Sequence, residues 1–361
     1  MNKAQDKTIL ILNGDMNRGG GTEKMTQVLS NILCEKYCVH VVSMQSCTIP
    51  YYKPCEQVAF HSLAVPPGKY RMLKSFCLLY KLVKILKVDV IINVDVFLSI
   101  YSIPLKFFSN DVRVISWEQF SIENDMGLSW ANTLRSFALK YSDYYVCLTE
   151  GDLQAFKSRF RFKTPIMFIH NPNTEDSHNV KYCCSSKKIV TVGNFYYSKG
   201  LDLAIEVAQK VLTMNPGWVW YIYGDGPEMN KIRKQVEDAN LSNSVILAGR
   251  ISDKSKMYCD SAIYVLTSRT EGFGLVLLEA QGYHLPIVAF DVPYGPRSII
   301  SSGKNGYLIK PFNTNDMADA ILRLINSNEL RQSFSDHAQD DFEKFSLSIF
   351  SDKWISIINS F

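Results

Sequence analysis

One feature constrains the fold more than any other: short apolar runs of strand length alternate along the whole chain with longer stretches of helical periodicity. The runs fall at Thr8–Leu12, Val39–Ser43, Val58–Leu63, Asp89–Val94, Val112–Trp117, Tyr144–Leu148 and Ile166–Ile169, then again at Ile189–Gly193, Trp218–Tyr223, Val245–Gly249, Ala262–Leu266 and Pro286–Phe290. Strand, helix and strand in series imply parallel pairing, with crossover helices covering both faces of a sheet. At 361 residues the chain is long enough for two such domains. The expectation is therefore α/β, with two doubly wound sheets. A polar stretch without apolar periodicity, Thr174–Lys188, is the expected linker. It leaves a first domain over residues 1–180 and a second over 188–344, with a terminal helix at 345–361.

Charge and composition remove several function classes. The net charge is +4 at pH 7 and 47% of residues are hydrophobic. Residues 1–185 carry 21 Lys+Arg against 16 Asp+Glu, whereas 186–361 carry 18 against 19, so the excess is in the first half. A nucleic-acid binder needs a more basic domain and a recognisable module, and neither is present. No apolar run reaches the roughly 20 residues that span a bilayer, and no leader peptide is evident after Met1, so the expected location is the cytoplasm. The nine cysteines include no Cys-x2-Cys pair and read as reduced packing residues. No Asp-x-Asp and no His/Asp/Glu cluster has metal spacing, so neither a metal nor any other cofactor is expected. The stretch Lys69–Lys87 has six cations (Lys69, Arg71, Lys74, Lys81, Lys84, Lys87) and no acid. Its apolar residues Leu73, Phe76, Leu79, Tyr80 and Val83 recur at helical spacing. A crossover helix must bury such a face against its sheet, while the lysines suit an anionic membrane surface.

The densest chemistry lies at Ser268-Arg-Thr-Glu271-Gly-Phe-Gly274-Leu-Val-Leu-Leu-Glu279. A buried strand ends there and a helix begins. The first amides of a helix lack intrahelical partners and carry the positive end of its dipole, so Gly272, Phe273, Gly274 and Leu275 suit a phosphate. Glu271 and Glu279 are eight residues apart, roughly 10–12 Å along a helix axis, too far to share a proton. They suit the two ends of one long polar ligand. The competing reading makes Glu271 an ordinary acidic residue near a helix N-terminus and Glu279 a solvated one. A second glycine loop, Gly19–Gly21, follows the first strand and precedes a helix expected from Thr22 as N-cap to Leu33. It lacks the dinucleotide fingerprint Gly-x-Gly-x-x-Gly.

Glu-x7-Glu with Gly-Phe-Gly between resembles the signature of family 4 glycosyltransferases. The resemblance is densest over residues 188–324. It implies the GT-B fold: two Rossmann-like domains facing each other across a cleft, with the terminal helix crossing back onto the first. It also implies Glu271 beside the donor sugar, the Phe273–Leu275 amides on the diphosphate and Glu279 on the ribose. Lys199, in Tyr196-Tyr-Ser-Lys199-Gly200, matches a diphosphate-binding lysine, whereas Asn194 stands where the family usually has an arginine, so either Lys199 carries more of the leaving-group charge or a basic residue elsewhere compensates. Main-chain groups of Arg250 and Ile251 would read the base. Gly20 and Gly21 would close over the phosphates or the acceptor. Gln119 stands, with Glu118 beside it, about where many members have a histidine facing the sugar. Thr149-Glu150 and His170-Asn171-Pro172 resemble positions before and at the interdomain hinge, and His170 is expected to bond locally. The Gly295-Pro296-x-x-Ile-Ile and Asn305-Gly306-x-Leu pieces are most similar to members using UDP-activated hexoses or N-acetylhexosamines.

The resemblance implies a retaining, metal-independent hexosyltransferase in which Glu271, Lys199 and Gln119 act at the reacting centre. It would work on a saccharide acceptor carried by a polyprenyl diphosphate, at the inner leaflet, in O-antigen, capsule or exopolysaccharide assembly. Four alternatives remain open at this point: a transferase for soluble acceptors, a nucleotide-sugar epimerase, a nicotinamide oxidoreductase and a sugar-binding subunit without turnover.

Overall fold

The computed structural model describes residues 7–109, 111–124, 129–174, 181–251 and 253–361. It divides into two compact units, Met1–Asn171 with Ser346–Phe361, and Pro172–Phe345. Each is built on a wholly parallel sheet.

In the first unit the strands are β1 (Thr8–Asn13), β2 (Cys38–Ser43), β3 (Ala59–Ser62), β4 (Val90–Val94), β5 (Arg113–Trp117), β6 (Tyr144–Cys147) and β7 (Ile166–Phe168), in the order β3-β2-β1-β4-β5-β6-β7. β1 and β4 are buried on both faces, which is why they read as unbroken apolar runs. The order reverses direction between β1 and β4, and at such a point the loops leaving the carboxyl ends diverge and open a crevice. The terminal helix Leu347–Asn359 packs in this unit: Trp354 is buried edge-on against Trp117 at 4.9 Å, and Lys7 Nζ caps the Ile358 carbonyl at 2.8 Å.

In the second unit the strands are β8 (Lys188–Val192), β9 (Val219–Tyr223), β10 (Val245–Gly249), β11 (Ile263–Leu266), β12 (Ile287–Phe290) and β13 (Gly306–Ile309), in the order β10-β9-β8-β11-β12-β13. The helix Leu201–Met214 buries Ala204, Ile205, Val207, Ala208, Val211 and Leu212 on one flank, and these join the core formed by the strands.

Three local expectations change. The first helix runs Gly21–Leu33 with Gly20, not Thr22, as N-cap, because Glu23 reaches back to accept from the Gly20 amide at 3.1 Å and fixes the start there. The basic helix spans Arg71–Leu86, and its buried stripe is Ser75, Leu79 and Val83. Leu73, assigned to that stripe from its spacing, is instead 61% exposed, as are Met72 (60%) and Ile85 (77%). Phe76 and Tyr80 pack edge-to-face on Phe108. Of the expected linker Thr174–Lys188, residues 175–180 lie outside the described residues, as do the first six of the chain. Residues after 180 are tied to the second unit: Tyr182 donates to the Ala262 carbonyl at 2.8 Å, Ser186 Oγ to Asp260 at 2.6 Å, and the Cys184 carbonyl accepts from Arg331.

Candidate active site

The site grows from the carboxyl end of β11. After Leu266 the chain passes through Thr267 and Ser268, both buried, to Glu271, whose backbone bridges to Tyr294. Gly274 adopts φ +91, a conformation that glycine takes without steric cost, and starts the helix Leu275–Gly282. A Cβ on Gly295 would stand 2.4 Å from the Phe273 carbonyl oxygen, so a side chain there would push the Gly-Phe-Gly backbone out of position. Half of the span from Glu271 to Glu279 is therefore a shaped loop rather than helix.

Glu271 is 7% exposed and its Oε1 accepts from Lys199 Nζ at 2.7 Å and from Ser268 Oγ at 2.6 Å. Lys199 ends the single 3-10 turn Tyr197–Lys199. Gly200, at φ +60, lets that turn lie against β11's exit, since a Cβ there would sit 2.1 Å from the Thr267 carbonyl oxygen. Arg269 staples the two loops: both its Nη atoms donate to the Asp202 carboxylate at 2.7 Å, and its guanidinium stacks 4.0 Å from the Tyr197 ring. The hydrogen bonds from Arg269 hold the Asp202 carboxyl below its ordinary pKa. Such a bidentate pair fixes orientation as well as charge.

Glu279 has a different set of partners. Its Oε1 accepts from Lys254 Nζ at 2.5 Å and its Oε2 from the Tyr258 hydroxyl at 3.0 Å. The buried phenol of Tyr264, which donates to the Val192 carbonyl at 3.3 Å, is pushed well above its ordinary pKa by burial and by Glu271 and Glu279. Each carboxylate thus has its own ammonium.

Asn194 and Arg250 stand at the same end of the sheet, after β8 and β10. The Arg250 guanidinium donates to Asn194 Oδ1 at 3.1 Å, a reach across the end of β9. Lys199 methylenes lie 3.8 Å from where a Gly193 Cβ would be, so Asn194 adjoins the Lys199 turn. Ile251 follows Arg250 there. Lys199, Glu271, the run Gly272 to Leu275, Glu279, Asn194 and Arg250 accordingly gather at one end of the second sheet.

Gly20, Gly21 and Gln119 belong to the first unit. The Gly20 amide is taken by Glu23, whose other oxygen holds Arg18 at 2.8 Å, so the helix's own carboxylate occupies the spot a phosphate would use at Gly20. Gln119 is buried; its Oε1 accepts from Asn171 at 3.5 Å, and its Nε2 has no partner among the described residues. Glu118 does structural work, since it is fully buried and paired with a fully buried Arg135 at 2.9 Å. His170 bonds the Leu148 carbonyl through Nδ1 at 2.8 Å, as its reading as a local contact requires. Sequence reasoning did not select Ser268, Arg269, Asp202, Lys254 or Tyr258. Ser268 and Arg269 lay inside the quoted motif, but the partners of Arg269 and Glu279 are set by tertiary contact.

Residues 184–341 match the family of glycosyl transferases group 1. An uncharacterized glycosyltransferase of Haemophilus influenzae is 30% identical over 351 residues, covering 95% of this chain and 98% of that protein. The amylovoran biosynthesis glycosyltransferase AmsD of Erwinia amylovora is 27% identical over 360 residues, 97% of this chain and 99% of that protein. In fold, a mutant of S. aureus TarM, crystallised with fondaparinux, alpha-GlcNAc-glycerol and UDP, superposes with a TM-score of 0.82 at 20% identity, covering 98% of this chain and 100% of that one. The fold is GT-B. The chain belongs to the group 1 glycosyl transferases.

Proposed function

We propose that this protein transfers a hexose or N-acetylhexosamine from a UDP-sugar to a saccharide carried on a polyprenyl diphosphate, in the assembly of a bacterial surface polysaccharide. The observation that carries the reading is the pairing of Lys199 with a buried Glu271 beside the Gly274 helix start, with Glu279 further along the same segment. Lys199 and the Phe273–Leu275 amides would take the diphosphate, Arg250 on Asn194 would add a second cation, and Glu279 would hold the ribose. Support for UDP comes from TarM, crystallised with it, and for a polysaccharide role from AmsD.

In the proposed step the acceptor hydroxyl oxygen bonds to the anomeric carbon while that carbon's bond to the β-phosphate oxygen breaks. The hydroxyl proton passes to the departing phosphate on the same face, so configuration is retained. Lys199 and the fixed amides stabilise the charge that develops on UDP, and being preorganised they need no rearrangement to do so. No metal takes part in this scheme.

The lipid carrier is supported by the first unit's surface. The helix Arg71–Leu86 turns Leu73, Leu78 and Ile85 outward among Lys74, Lys81 and Lys84, and Phe107 and Phe108 are 73% and 60% exposed beside it. Apolar side chains set among cations without acids match an anionic leaflet, which supports the reading that the enzyme works at the cytoplasmic face of the plasma membrane. No helix among the described residues is long and apolar enough to cross a membrane. The test is a panel of UDP-sugars offered with membrane-extracted lipid acceptors or with free sugars, alongside flotation with anionic liposomes. Equal activity on free sugars and no flotation would sink the lipid carrier, and no turnover with any UDP-sugar would sink the donor.

A further inference from the structure

We propose that Asp95, Phe97 and Trp130 form a binding subsite for a neutral pyranose ring at the carboxyl end of β4. The inference rests on the proposed transfer to a saccharide acceptor, and it names a place on the first unit where one ring of that acceptor would sit.

The place is set by topology. Asp95 is the first residue beyond β4, on the rim of the crevice where the strand order reverses between β1 and β4. Its backbone is unusual: φ is +125 and ψ +133, a region that glycine enters freely and a residue with a Cβ enters only under strain. A glycine would make the same turn without strain but would bring no carboxylate. One Asp95 oxygen accepts from the Phe97 amide at 2.9 Å, and the other takes no hydrogen bond among the described residues. The carboxyl is partly buried. Burial and Glu118 at the end of β5 push it up to about 7, against the pull of the Phe97 amide, Arg18 in the glycine loop and Arg135 in the helix Ala131–Tyr141. Strain and desolvation together make this a costly carboxylate, and the bond to Phe97 uses only half of it.

Phe97, tied to Asp95 by that bond, meets Trp130 edge-to-face with ring centroids 5.7 Å apart. Trp130 is 46% exposed, so an indole surface stands open beside the ring of Phe97, whose amide Asp95 holds. A pyranose carries hydroxyls around its rim and C–H groups on its faces, and those two chemistries match a carboxylate acceptor and an aromatic face. A purely apolar occupant would leave Asp95 desolvated without a donor. The Asp95 and Glu118 carboxylates are offset by Arg18 and Arg135, so net charge favours neither ion, and the pairing of a hydrogen-bond acceptor with an aromatic face selects a polyhydroxylated ligand.

The test uses the full chain and three probes, the methyl glycosides of glucose, galactose and N-acetylglucosamine, observed by saturation-transfer NMR. At least one should receive magnetisation at its ring C–H protons. Its binding should weaken about tenfold in Asp95→Gly, the loss expected for one hydrogen bond to a charged group, and by a similar factor in Trp130→Ala, which removes the aromatic face. Asp95→Gly loses the bond to Phe97 but relieves the backbone conformation, and Trp130 is half exposed, so both variants should stay folded, which thermal melting checks. In the parent, binding should weaken as pH falls through about 7, where Asp95 gains its proton and loses an acceptor. Asp95→Asn should bind weakly at every pH. UDP affinity, measured in parallel, should stay unchanged in all variants. Glycosides that fail to contact the parent while UDP binds, or that bind Asp95→Gly and Trp130→Ala as well as the parent, overturn this inference alone. Failure of UDP to bind the parent overturns the donor reading instead.

Discussion

Replacing Glu118 with Gln strands a guanidinium inside the first unit. Arg135 and Glu118 both have fully buried side chains, with Arg135 Nε donating to Glu118 Oε2 at 2.9 Å. The remaining Arg135 donors reach the Ile122 and Ser121 carbonyls at 3.1 Å and the Asn124 carbonyl at 2.7 Å. Those carbonyls satisfy hydrogen bonds but not the charge. Glutamine keeps the volume, so packing changes little, and the cost is that of a buried cation without its anion, about 3–5 kcal/mol. Against a domain stability of about 5–15 kcal/mol, this is a large share. Urea unfolding, followed by the fluorescence of Trp117 and Trp354 in the same unit, should show the transition move to lower denaturant by that amount. The double variant Glu118→Leu with Arg135→Met removes both charges and should recover most of the loss. A single-variant loss under about 1 kcal/mol, or a double variant no more stable than the single, would refute the reasoning.

Lys199→Ala should lower kcat by about 10²–10³ while changing UDP affinity little, because its charge is needed most as the diphosphate departs; steady-state kinetics with calorimetry separates the two effects. Glu279→Ala should weaken UDP binding by about tenfold and change saturated turnover less, the reverse pattern, read in the same assays. Gly200→Ala should lower the melting temperature and activity together, since a side chain at φ +60 costs about 1–2 kcal/mol before its contact with the Thr267 carbonyl is relieved by moving the Lys199 turn.

Much of the fold was legible because parallel strands buried on both faces must be continuous apolar runs, and β1, β4 and β11 are such runs. Spacing was a poorer guide to which helical stripe faces inward. In Arg71–Leu86 the residues at Leu73 and at Ser75 both fit a helical period, and the sheet selected the stripe containing the serine. Helix starts depended on one reciprocal bond, from Gly20 to Glu23, that periodicity does not encode. At the site, Glu271, Lys199 and Glu279 stood out by residue type and place, but the groups that orient them did not. Asp202 and Arg269 are 67 positions apart, and Arg250 meets Asn194 only because β9 lies between their strands. Asp95 was invisible for another reason: its signal is a backbone angle, and a lone aspartate after a strand looks like any turn residue.

The central claim is that the end of the second sheet around Lys199, Glu271, Gly274 and Glu279 binds a uridine diphosphate through protein groups. Calorimetric titration of the full chain with UDP, GDP and NAD in the presence of EDTA tests it most directly. The account predicts one UDP site per chain, little response to GDP or NAD, and clear weakening in Glu279→Ala. No heat with UDP, or selective binding of GDP or NAD in its place, would contradict it.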